Sequence, residues 1–222
     1  PPYGPTSYPE RLRDRSTRAH EFGHATHNVL SLEQQTWRSH RTGIPMAEVP
    51  STFAQSIADD YLLENETDPG TRAALAADRL ENAFAAIYRQ TVLSRFEQRA
   101  YDVRADGRSL GTERLNELWV EENGKYYGDA LTMPEGYALG WSYIPHFIHV
   151  RFYTYAYSFA QLVALLLYRR FREDAESFAP NYPELLASGG PASPADPGAP
   201  VGPHLRSPHP CPRAFRAPAP PR

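Results

Sequence analysis

His20-Glu21-Phe22-Gly23-His24 reads H-E-x-x-H. On a helix the two histidines fall at i and i+4, one turn apart on the same face, where their imidazoles can close on one Zn²⁺. Glu21 then stands beside the remaining coordination position as a general base for a metal-bound water. Ser16 or Thr17 can cap such a helix, and no proline interrupts Thr17 to Leu30. Phe22, Ala25, Val29 and Leu30 supply an apolar face, and Gly23 admits the close approach of another backbone. The bland alternative is a surface helix that carries two histidines by chance.

A catalytic zinc takes three protein ligands and keeps one position open. His27, His40, Glu48, Asp59, Asp60, Glu64 and Glu66 are the downstream candidates for the third. His27 lies near the face of His20 and His24, but too close on one helix to complete a tetrahedron without strain. Glu48 follows a polar, turn-rich stretch and opens a second helix, which can return antiparallel and aim a carboxylate at the metal. An acidic residue near a helix N-terminus has an ordinary electrostatic reason to be there. The dihistidine motif upstream favours the ligand reading.

His20-Glu21-Phe22-Gly23-His24-Ala25-Thr26-His27, followed by Ala47-Glu48-Val49-Pro50-Ser51-Thr52-Phe53, resembles the oligoendopeptidase F branch of the thimet-oligopeptidase-like (M3) zinc metallopeptidases. A third block is similar to the stretch that follows the metal site in that family: Trp141-Ser142-Tyr143-Ile144-Pro145-His146-Phe147, then Arg151-Phe152-Tyr153-Thr154-Tyr155-Ala156-Tyr157. The three blocks occur in order, and the resemblance spans residue 16 to about residue 175.

The resemblance implies a helical, zincin-like catalytic domain with one zinc per chain, held by His20, His24 and Glu48. Its implied activity is hydrolysis of peptide bonds in short oligopeptides, with Glu21 assisting the attacking water. It also implies that His146 and Tyr153 steady the charge that grows on the substrate carbonyl oxygen. Tyr155, Tyr157 and His149 compete for that role, and an aromatic stripe packing the core is the structural alternative. Family members carry several hundred residues of helical structure before the zinc motif. The chain is therefore expected to be the C-terminal part of a larger peptidase, lacking an N-terminal region that completes the substrate channel.

With 222 residues the chain can bury one substantial core. A net charge of −3 leaves no footprint for nucleic acid or an anionic membrane. The single cysteine, Cys211, excludes an intrachain disulfide framework and fits a reducing, cytoplasmic setting. No apolar stretch reaches membrane-spanning length, and the opening Pro1-Pro2-Tyr3-Gly4-Pro5 has no signal-peptide character. Every basic residue but Lys125 is an arginine, which speaks of genome composition rather than function.

The periodicity predicts an all-α protein. Residues 1–15 read as an irregular arm and 16–190 as the helical domain. Beyond the motif helix, further helices are expected over 46–66, 71–101, 110–126 and 148–176, with a loop over 127–140. Residues 191–222 hold half of the chain's 22 prolines and no periodicity, so a disordered tail is expected. Two rival functions remain. A helical module that kept the fold and lost catalysis had no reason to keep Glu21. A ferritin-like dimetal protein needs a second E-x-x-H, and the sequence holds one, Glu21 to His24.

Overall fold

The computed structural model describes residues 12–36 and 42–188. His40, Cys211, the Pro-rich stretch 191–222 and residues 1–11 of the expected arm lie outside the described residues. Within them the chain is helical with no strand, as the periodicity predicts. It divides into two compact units, 1–81 with 159–222 and 82–158.

In the first unit α1 (Leu12–Gln34) packs on α2 (Ile44–Asn65). The chain is already helical at Leu12, so Ser16 is no cap. It is buried inside the first turns and donates to the Asp59 carboxylate. The packed face of α1 is small and polar rather than apolar: Ser16, Gly23, His27 and Ser31 are buried at helical spacing. Phe22 is 64% exposed and Val29 is exposed too, so the expected apolar face does not form the contact. The reason is the closeness of the helices. A Cβ on Gly23 would lie 2.5 Å from the Pro50 carbonyl oxygen, a separation that large side chains at the crossing would forbid.

From α2, Val49 and Phe53 enter a core completed by α7 (Tyr155–Glu173) and α8 (Ala175–Ala187), through Val163, Ala164, Leu167 and Leu185. The Phe53 ring lies 4.5 Å from that of Tyr182 and 5.5 Å from that of Phe178. Ile57 and Tyr61, which follow Phe53 at the same helical spacing, are exposed. The helix α8 contradicts the expectation that helix ends near residue 176. Pro180 and Pro183 lie inside it, and Asp174 caps it by accepting the Ser177 N–H at 3.0 Å. Just past the end of α1, Gln35 donates to the Ala187 carbonyl at 2.9 Å.

The second unit is built on α4 (Gln90–Ala105) and α5 (Thr112–Tyr127). Leu93, Phe96, Val103, Leu118, Trp119 and Ile144 form its core, with Leu115 packed against it. The expected single helix over 71–101 is α3 (Pro69–Phe84) followed by α4, joined by one π turn, Ala85–Arg89. Ser158 Oγ lies 3.0 Å from the carbonyls of both Ala86 and Ile87, within that turn. Leu80 and Phe84 are exposed, whereas Val92 and Phe96 are buried, so burial begins only after the π turn.

Part of the expected 127–140 loop is a 3₁₀ segment, Glu135–Tyr143. The expected helix over 148–176 is broken. A short α6 (His146–His149) ends, and α7 begins only at Tyr155. Between them Phe152 takes φ 54°, a left-handed conformation uncommon for a bulky side chain. The Glu97 carboxylate anchors this turn by accepting the Phe152 N–H at 2.9 Å. No helix among the described residues is long and apolar enough to cross a membrane.

Candidate metal centre

Contacts between α1 and α2 run in opposite order: Ser16 meets Asp59, His20 meets Gln55, and Gly23 meets Pro50. The helices are therefore antiparallel, and the first turns of α2 lie beside the second half of the H-E-x-x-H motif. That places Glu48 opposite both histidines. Its Oε2 is 3.6 Å from His20 Nε2 and 3.6 Å from His24 Nε2. The imidazoles stand edge to face, with ring centroids 4.9 Å apart. One ligand atom from each residue falls within 4.8 Å of the others, the one such group found among the described residues.

Two ligands each about 2.0–2.2 Å from a tetrahedral zinc lie roughly 3.3–3.6 Å apart. The donor set, two imidazole nitrogens and one carboxylate oxygen, fits that ion in chemistry, and the two carboxylate-to-imidazole separations of 3.6 Å fit it in spacing. His20 Nδ1 donates to Gln55 Oε1 at 3.2 Å, since an amide oxygen can only accept. The Nε2 lone pair is thereby turned toward Glu48 and His24. Burial opposes protonation of His20, but its hydrogen bonds to Glu48 and Gln55 outweigh that and raise its pKa.

The remaining candidates are occupied elsewhere. His27 is buried, and burial followed by repulsion from His24 lowers its pKa, which suits a neutral packed imidazole. Asp59 accepts from Ser16, and its burial raises its pKa despite that bond. Asp60 pairs with Arg79 and Arg172, and Glu64 with Arg172. Glu21 is half-buried on α1.

His146, Tyr153 and Tyr157 gather in the second unit. His146 Nε2 lies 3.3 Å from the Tyr157 hydroxyl, and its ring is 5.5 Å from that of Tyr153. Tyr153 precedes α7 rather than lying on it, yet its ring packs 5.2 Å from that of Tyr157. Tyr155 and His149 are exposed. Burial raises the Glu97 pKa, tempered by the Phe152 N–H and by His146. Sequence reasoning missed Gln55 and Glu97. Gln55 had a signal, since it lies two helical turns after Glu48 and so on the same face of α2.

The model for peptidase family M3 matches residues 11–216, beyond the span of the three sequence blocks and into the Pro-rich stretch. The oligoendopeptidase F homolog of Borreliella burgdorferi is 30% identical over 187 residues, covering 84% of this chain and 32% of that protein. The chromosomal oligoendopeptidase F of Lactococcus lactis subsp. cremoris is 31% identical over 196 residues, covering 88% of this chain and 32% of its own length. The crystal structure of oligoendopeptidase-F from Enterococcus faecium superposes with a TM-score of 0.66 at 29% identity, over 79% of this chain and 31% of that one. The chain thus spans about a third of the curated relatives it matches. A match running through nearly every described helix goes well past a shared five-residue motif, and the chain belongs to peptidase family M3.

Proposed function

We propose that the chain carries the metal centre of a zinc-dependent oligopeptidase that hydrolyses peptide bonds in short peptides, in a cytoplasmic setting. The convergence of His20 Nε2, His24 Nε2 and Glu48 Oε2 carries this reading. When bound, zinc supplies a Lewis acid that makes water a nucleophile at neutral pH and polarises a carbonyl. Glu21 takes the proton of the attacking water and passes it to the leaving amine. His146 and Tyr153 supply donors toward the charge developing on the carbonyl oxygen, and Tyr157 orients His146 through their shared hydrogen bond. Gln55 fixes the His20 tautomer.

Metal analysis of the purified chain tests the reading. One zinc per chain is expected, with retention lost in His20→Ala and in Glu48→Ala. Absence of zinc, or retention unchanged in both variants, refutes it.

A further inference from the structure

We propose that Arg89 and Tyr143 form a subsite for the C-terminal carboxylate of a bound peptide. The proposal rests on the reading that the ligands are peptides. Arg89 is half-buried, yet among the described residues it forms no ion pair. Arg79, Arg95, Arg99 and Arg172 by contrast each meet a carboxylate. A cation withdrawn from water without a counter-ion costs free energy unless an anion arrives to meet it.

The partners of Arg89 are neutral. Its guanidinium donates to the Tyr143 hydroxyl, and the Tyr137 hydroxyl is also within its reach. Tyr137 spends its own proton on Asn123 Oδ1 at 2.9 Å. Tyr143 is 61% exposed, and having accepted from Arg89 it keeps its proton to give outward. An anion at this spot meets a guanidinium fork and a phenol O–H together, the donor set that suits a carboxylate.

Two further features surround the pair. Arg89 is the last residue of the π turn, a distortion that recurs at functional sites because it re-aims side chains. Beside it, Phe84, Tyr88 and Tyr126 form an aromatic cluster, with centroids 4.6 Å apart for Phe84 and Tyr88 and 5.7 Å for Phe84 and Tyr126. Phe84 and Tyr88 are exposed, a platform for an apolar side chain adjoining the carboxylate.

The test measures binding of N-terminally fluorescein-labelled hexapeptides ending in Phe to the 222-residue chain, by anisotropy at fixed salt. The same peptide is compared as free acid and as C-terminal amide. The free acid is expected to bind at least about tenfold tighter, roughly what one charge-assisted contact contributes. Arg89→Gln brings the acid to the affinity of the amide and leaves the amide unchanged, while Tyr143→Phe removes part of the preference. A third peptide, amidated and carrying Asp at the penultimate position, separates the terminus from an acidic side chain. If it matches the free acid, the assignment to the terminus is overturned. Equal binding of acid and amide by the unaltered chain, including no measurable binding of either, also overturns the proposal and requires no variant to fold. So does a preference that survives Arg89→Gln. Zinc content measured on the same samples keeps the two readings apart. Zinc without the preference refutes this subsite alone, and the preference without zinc refutes the metal reading alone.

Discussion

Gly23 sits where the two histidines of the motif and the carboxylate of α2 must close on one point. Helix propensity alone says Gly23→Ala should stabilise α1 by about 1 kcal/mol. The close approach says otherwise, because the added methyl would meet Pro50 and Ser51 backbone at 2.5 Å, and backbone cannot swing aside as a side chain does. Overpacking of that kind costs about 1–3 kcal/mol and wins. Gly23→Ala is expected to lower the thermal midpoint and weaken zinc retention together, because spreading the helices moves Glu48 from both histidines. A raised midpoint with zinc unchanged would show that the crossing is slack. Glu21 makes the complementary case. Glu21→Gln keeps the shape and the converging side chains but removes the proposed base, so peptidase activity should fall by about two to four orders of magnitude with zinc still bound. Surviving activity in a zinc-replete Glu21→Gln protein would remove Glu21 from the mechanism.

At the scale of elements, Glu122 on α5 is a buried carboxylate with its charge fully used. Burial alone would push its pKa up. Hydrogen bonds from Lys125, Arg95 and Arg99 overcome that and hold it at about 2, below its ordinary 4.5. A folded-state pKa below the unfolded one adds stability that is complete above pH 4.5 and is lost as pH falls from there toward 2. In Glu122→Gln that acid-dependent component of unfolding should disappear, and stability at neutral pH should drop by about 1–3 kcal/mol. Denaturant titrations between neutral pH and pH 3 measure both. The elements themselves were unequally legible. The motif helix, α2 and α5 show in the sequence because their spacing of Val49 with Phe53, or of Leu115, Leu118 and Trp119, is local and regular. The helix α8 does not show, since Pro180 and Pro183 read as breakers until Asp174 is seen to cap it. Nor does the break at Phe152, which is fixed by the Glu97 carboxylate from another helix rather than by any glycine or proline nearby. The convergence of His20, His24 and Glu48 was legible for the same local reason as α1. Gln55 escaped because an amide on a polar face carries no signal of its own until a histidine is found 3.2 Å away.

At the scale of the whole molecule, the chemistry and the grip on substrate need not reside in the same stretch of chain. The described residues gather His20, His24 and Glu48 in their first unit and, separately in their second, a histidine with two tyrosines. They correspond to about a third of the length of the curated relatives. Several large apolar side chains of the first unit also face solvent, among them Phe22, Tyr61 and Leu80 at 64%, 65% and 70% exposure. Holding a peptide in line for attack is worth about 7–11 kcal/mol of barrier in favourable cases. If walls of the substrate channel come from sequence outside these residues, a site with its ligands intact will turn over slowly for want of positioning. Quenched fluorescent peptides of roughly 5 to 15 residues are the probe for a binding channel of limited reach. The 222-residue chain is expected to cleave them barely above background. Supplying an N-terminal region from a family relative, fused or in trans, should raise kcat/KM by orders of magnitude. Glu21→Gln in the supplemented protein should abolish that gain, which ties it to this metal centre. A kcat/KM of about 10⁴ M⁻¹s⁻¹ or more for the chain by itself would show that these residues already position the peptide, and that the exposed apolar side chains are part of how they do so.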